Sequence, residues 1–301
     1  MLSVVVVAYD MIRELPRTLF TLGTSYQRDI EADDYEVIVV DNGSPEPLPD
    51  RLAKTFAGHL RMERLDPAPP SPTRAANEGL AAARGDLVGL VVDGARLSSP
   101  GLLSGARRAA RLFDRPVITA PAFHLGATTH MRAADTGYDQ EVEDGLLSGS
   151  GWEADGYRLF DISSPAGSSG RGLFGPMGES SSLFAPRQLW DELGGMDERF
   201  TLPGGGLANH DLYRRACSLP DVELIVLLGE GTFHQYHEGA ATSRRLTWDE
   251  MQADYAALHG EPHRPPPNSP MYVGRVPTSA LGFVERSAGQ AREHFTHSDE
   301  W

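Results

Sequence analysis

The stretch Leu2-Ser3-Val4-Val5-Val6-Val7-Ala8, closed by Tyr9-Asp10, decides the fold. It is apolar and β-branched almost without interruption, whereas a strand with one wet face would alternate apolar and polar residues. It therefore predicts a strand covered on both faces, as in a parallel sheet. Working outward, Glu14-Leu15-Pro16 opens a helix to about residue 26, with Pro16 suited to a first turn where its missing N–H is no loss. Residues 35–40 read as a second buried strand, 49–57 as a short helix and 60–65 as a weaker strand. Ser71-Pro72 starts a helix that Gly85 ends, and residues 87–92 form another buried strand. Such alternation predicts an α/β fold with a mostly parallel central sheet and helices on both faces.

Beyond Asp93 the pattern loosens. Residues 101–113 read as helix and 117–120 as strand, and then 123–176 show little periodicity, a length of irregular chain that usually carries function. Strands are expected at 180–184 and 224–228, helices at 189–193 and 209–217. We expect residues 1–240 to form the main domain and 241–301 a C-terminal extension, with a linker around Pro265-Pro266-Pro267 and a last helix over 279–295. No internal repeat is visible.

Composition narrows the partners. Twenty-seven basic against 42 acidic residues leave a net charge of −15, which argues against nucleic acid or a basic membrane-binding surface, so an anionic substrate needs a local cation or a metal. Cys217 is the only cysteine, which excludes an intrachain disulfide and cysteine metal centres. The longest apolar run is too short to span a bilayer. A soluble, cytoplasmic protein is the expectation.

Acidic residues mark the strand ends, where open parallel sheets bind ligands: Ala8-Tyr9-Asp10, Asp41-Asn42-Gly43-Ser44 and Asp93-Gly94-Ala95. A ring can stack on a base, one carboxylate can accept an imide N–H, and another can hold a divalent cation against a pyrophosphate. Singly, each has a plainer reading: Asp-Asn-Gly is a common turn, Tyr9 fits core packing and Asp93 fits a cap. Their joint occurrence at successive strand ends is harder to attribute to chance.

These stretches, SVVVVAYDM, YEVIVVDNGS and AANEGLAAARGDLVGLVVDGARLSSPGLL, with the later LGGMDERF and HDLYRR, resemble the family 2 glycosyltransferases of the GT-A fold. The resemblance implies inverting transfer of a sugar from a nucleotide-diphosphate sugar, UDP-type foremost, to an acceptor hydroxyl. It implies that Ala8, Tyr9 and Asp10 line the nucleotide site, that Asp41 binds the base, and that Asn77 and Gly79 lie beside the donor. Asp93 would open the metal-binding motif for Mn²⁺ or Mg²⁺. Two departures stand out. Ala95 replaces the usual second aspartate, and Ala208 and Asn209 replace an acidic pair whose second member is often the general base. Asp211 is the nearest carboxylate and Glu179 the fallback, although Asp211 equally fits a helix-start carboxylate held by the dipole.

Phe233-His234-Gln235-Tyr236-His237 lies where relatives place a metal-ligating histidine. His234 and His237 reach one ion only if the segment turns, because an extended strand would leave one of them structural. Arg96, Arg244 and Arg245 are cations suited to a diphosphate. Trp152, Tyr157, Phe160 and Trp190 fit either a sugar surface or the core. The letters of Gly170-Arg171-Gly172-Leu173-Phe174-Gly175 match a dinucleotide fingerprint, but no buried strand precedes them. A rival reading, motivated by Ala95, Ala208 and Asn209, is a catalytically degenerate relative that binds nucleotide or glycan without turnover. A sugar nucleotidyltransferase lacks its glycine-rich, arginine-containing loop here.

Overall fold

The computed structural model describes residues 1–56, 58–133, 137–237, 246–266 and 269–297. In chain order the elements are β1 (Leu2–Ala8), α1 (Leu15–Leu22), β2 (Tyr35–Asp41), α2 (Arg51–Thr55), β3 (His59–Arg64), α3 (Thr73–Ala82), β4 (Leu87–Val91), β5 (Arg96–Ser98), α4 (Leu102–Ala109), β6 (Pro116–Thr119) and β7 (Ala122–Leu125). They continue as α5 (His130–Ala133), α6 (Gln140–Ser150), β8 (Ser163–Pro165), β9 (Ser182–Pro186), α7 (Arg187–Leu193), α8 (Ala208–Ser218), β10 (Glu223–Leu228), β11 (Thr232–His234), α9 (Trp248–His259), β12 (Met271–Gly274) and α10 (Leu281–His297).

Eight strands form one sheet in the order β12-β10-β6-β9-β4-β1-β2-β3. All neighbours run parallel except β9, which is antiparallel to β4 and β6. Every residue of β1 is buried, as the unbroken apolar run requires. Val5 and Val7 join Ile38, Val40 and Leu90 on one face, while Val4 and Val6 join Val37 and Val39 on the other. The sheet is thus the wall between two cores, and its parallel strands deliver Tyr9, Asp41 and Asp93 to one edge.

A second sheet, β5-β11-β7-β8, lies beyond that edge. β11 pairs antiparallel with β5 and parallel with β7, setting His234 opposite Arg96 and His124. The irregular stretch of sequence is largely structured, with α6 and the 3-10 turn Gly156–Ile162 between β7 and β8. Among the elements that the sequence reading did not give are α9 and β12. α9 has little amphipathicity to betray it, though a capping box of Thr247 and Glu250 starts it. β12 is a four-residue edge strand that carries the C-terminal segment back onto β10. No helix among the described residues is long and apolar enough to cross a membrane.

Candidate functional site

The turn after β4 is built around Asp93, which sits at φ 65°, a conformation unusual for a residue with a side chain. Its Oδ1 accepts the N–H of Ala95 at 3.0 Å and so closes the turn. Ala95 is fully buried and its carbonyl accepts the N–H of Gln235 at 2.8 Å, which ties the end of β11 to this turn. Asp93 Oδ2 is left facing the histidines: His234 Nε2 lies 3.0 Å away and His237 Nε2 3.7 Å away. The two Nε2 atoms are 3.1 Å apart.

Both histidines face one point because β11 ends at His234 and the chain leaves the strand, so the turn that the sequence required for both to reach one ion is present. Metal–ligand bonds of about 2.1 Å at right angles put ligand atoms about 3 Å apart. Two of the spacings match that and the third, at 3.7 Å, needs only a slight closure, so the three residues fit a divalent cation. A carboxylate with two imidazoles suits Mn²⁺, Fe²⁺, Co²⁺ or Zn²⁺ better than Mg²⁺, which prefers oxygen.

The electrostatics agree. Burial opposes ionisation of Asp93, but the adjacent His234 and Arg96 hold its pKa well below the usual carboxylate range. Burial, with Arg96 nearby, pushes His234 down to about 4 despite Asp93, leaving a neutral imidazole with a lone pair to offer. Burial also works against charging His237, yet the hydrogen bond and charge of Asp93 raise it.

The ends of β1 and β2 are interlocked. Tyr9 is 53% exposed, its ring free to meet a ligand. Asp10, at φ 53°, donates its N–H to Ser44 Oγ at 2.9 Å. Asp41, the residue expected at the base, lies at the end of β2. It is 2% exposed, its Oδ1 accepts from Ser44 N and Oγ, and its Oδ2 meets Arg64 at 2.7 Å. Asp41 therefore shapes the turn that holds Asp10, and Ala8 is buried beneath it.

Asn77 and Gly79 are likewise committed to packing. Asn77 exchanges hydrogen bonds with both backbone groups of Met196 and donates to Glu198. A Cβ on Gly79 would lie 2.3 Å from Val5 Cγ1, so glycine there lets α3 close on β1. Arg244 and Arg245 lie outside the described residues. Trp152, Phe160 and Trp190 belong to the core, and Tyr157 donates to Glu230.

Asp211 is not brought to the strand ends. It is 1% exposed, its Oδ2 is held by Arg215 Nε at 2.6 Å, and His259 lies 3.4 Å from Oδ1. Glu179, in the segment before β9, stands where the start of α8 meets the loop chain. Asn209 donates to its Oε2 at 2.7 Å and His210 Nδ1 lies 3.5 Å away. Burial works to raise its pKa, but the charges of His210 and Arg96 and hydrogen bonds from Asn209 and Ser168 lower it, so the carboxylate is ionised. Arg96, 3.8 Å from Asp93, is thus felt by both acids.

Residues 3–94 match the family model described as Glycosyl transferase family 2. The family 2 resemblance holds. The matched stretch contains the β1, β2 and β4 strand ends; LGGMDERF and HDLYRR lie outside it. Among solved structures, S. aureus TarS is similar at 12% identity and TM-score 0.54, over 86% of this chain and 42% of that one. The chain therefore spans less than half the length of that protein. TarS 1-349 in complex with UDP-GlcNAc aligns at 14% identity and TM-score 0.51, covering 99% of this chain and 73% of that one. The Pyrobaculum calidifontis mannosyltransferase PcManGT, in complex with GDP-Man and Mn²⁺, aligns at 15% and 0.50, covering 99% and 76%. These neighbours establish the GT-A glycosyltransferase fold. A search of curated protein sequences gives no match.

Sequence reasoning missed Arg13, His124, His130 and Glu143, which surround the histidine segment. His124 and His130 lie behind His234. Their signal was faint, since all but Arg13 fall in the stretch without periodicity.

Proposed function

We propose that this chain transfers a sugar from a nucleotide-diphosphate sugar, UDP-type foremost, to an acceptor hydroxyl with inversion at the anomeric carbon. The observation that carries this reading is the convergence of Asp93, His234 and His237 on one point at the strand edge that also bears Tyr9 and Asp10. The complexes of TarS with UDP-GlcNAc and of PcManGT with GDP-Man and Mn²⁺ support it by analogy of fold. Asp93, His234 and His237 would hold the cation, with Mn²⁺ favoured by the donor set. When bound, it supplies positive charge beside the diphosphate. Tyr9 offers its face to the base, and Asp41 acts through Ser44 by fixing Asp10. Arg96 adds a fixed cation between Asp93 and Glu179.

Glu179 accepts the proton of the acceptor hydroxyl, a role that Asn209 cannot fill and that Asp211 is too occupied to fill. Asn209 instead orients Glu179. Of the C-terminal extension, β12 completes the main sheet, and the rest of its described residues would cover the acceptor side. The test is release of nucleoside diphosphate from UDP- and GDP-sugars with Mn²⁺ and a panel of acceptors. Glu179→Gln should lower turnover by about 10²–10⁴-fold with donor affinity intact. A parent that binds donor but never turns it over would favour the degenerate binder instead.

A further inference from the structure

The segment between the two histidines is held at both ends of one residue. Tyr236 donates its N–H to Glu143 Oε2 at 2.7 Å, and its carbonyl accepts from Arg13 Nη1 at 3.2 Å. These groups belong to the two peptide planes that flank Tyr236, so together they fix its φ and ψ. Together with the backbone of Gln235, those two angles set where His237 stands relative to His234. Arg13 and Glu143 also meet each other at 3.3 Å, and Arg13 continues to Asp144 at 2.7 Å and Glu14 at 2.9 Å. Glu143 has no exposed side-chain surface and Arg13 has 20%. Gln235 is separately anchored through its amide to the carbonyl of Glu14 and to Thr18.

We propose that Arg13 and Glu143 are positioning residues for the cation site, holding the turn at Tyr236 that brings both imidazoles to Asp93. The inference rests on the reading of that triad as a metal site. Three considerations support it. Left extended, residues 234 and 237 would project to opposite sides, so a turn must be imposed on the backbone. A buried carboxylate paired with a partly buried guanidinium is weak evidence for stability, because desolvating both charges offsets much of their attraction, and fixing one arrangement is its better-attested use. Groups that orient metal ligands typically govern affinity by 10–100-fold. The location adds a consequence: Arg13 follows Asp10 by three residues, so the loop that faces the nucleotide is the same loop that fixes the metal histidines.

The experiment measures Mn²⁺ affinity of the full chain, without nucleotide, by electron paramagnetic resonance of free Mn²⁺. Glu143→Ala should weaken binding by about 10–100-fold. Glu143→Gln keeps an oxygen for the Tyr236 N–H and should recover most of that loss, a rescue that general destabilisation would not give. Arg13→Gln, at a partly exposed position, should weaken Mn²⁺ in the same direction and carries the test should Glu143→Ala fail to fold. Parent-like Mn²⁺ affinity in Glu143→Ala or Arg13→Gln overturns the proposal, as does equal loss in the alanine and glutamine variants at position 143. A parent that binds no Mn²⁺ would overturn the metal reading itself, and this inference with it.

Discussion

Asp93, His234 and His237 at the strand ends, and Asp197, Asp211 and His259 among the loop after α7, α8 and α9, are built from the same side-chain types. In both groups the ligand atoms lie within 4.8 Å of one another. They differ in what each carboxylate already holds. Asp211 is bound by Arg215, Asp197 takes Arg199 through both oxygens, and the ring of His259 stacks on Tyr255 at 4.5 Å. A cation placed there would share each carboxylate with a close arginine, although Asp211 Oδ1 and His259 Nε2 themselves make no hydrogen bond. In the strand-end group Arg96 is 3.8 Å from Oδ1, while Oδ2 is turned to two imidazole nitrogens. Residue type and proximity are therefore insufficient, and what separates the two groups is the arginine already bound tightly to each carboxylate of the second one.

The sharpest way to break that comparison is to neutralise one carboxylate in each group. Asp93→Asn should abolish measurable Mn²⁺ binding and lower turnover on the order of 10²–10³-fold, as several kcal/mol of charge stabilisation are withdrawn. Asp211→Asn should leave Mn²⁺ affinity where it was. Calorimetric titration of both variants decides it, and the opposite assignment of losses would reverse the roles of the two groups.

A smaller effect is expected on stability. Asp211→Asn removes the buried partner of Arg215 and of His259, so urea denaturation should show a loss of about 2–3 kcal/mol, between a charged hydrogen bond and a fully buried pair. Turnover per folded molecule should stay near that of the parent. Full stability together with lost turnover would return Asp211 to the chemistry and remove Glu179 from it.

The two groups also differ in how far they could be read in advance. β1 was legible because seven consecutive buried residues need no partner information, and the strand-end acids follow from it. The Asp41-Ser44 contact was readable as a side chain closing its own turn, and Asp211 with Arg215 as an i, i+4 pair, which should have argued against a catalytic Asp211. Asn77 with Met196, Glu179 with Asn209 and Glu143 with Tyr236 join segments far apart in the chain. No local pattern announces such contacts, so the hold of Asn209 on Glu179 and the support of the histidine turn emerged only once the chain was folded.

The smallest predicted effect uses pH to separate the α8–α9 region from the strand ends. His263 is buried against His210 and Tyr255, each ring 5.2 Å away, and its backbone N–H donates to Gln252 Oε1. Burial first, and then the positive charges of His210 and Arg214, push its pKa down to about 4, with Asp211 pulling the other way. Because the folded pKa lies below the unfolded value near 6.5, the unfolded chain takes up the proton first as pH falls. The stability that His263 contributes is therefore fully present above about pH 6.5 and is lost progressively toward pH 4. His263→Leu removes that titration. Relative to the parent, the variant should gain about 1–2 kcal/mol between pH 7.5 and 4.5 in urea denaturation. His124, His130 and His234 are depressed by burial in the same direction, but they are common to both proteins and cancel in the difference. Parallel stability curves for parent and variant would show that His263 is protonated as readily folded as unfolded, and that the α8–α9 region is wetter than its packing indicates.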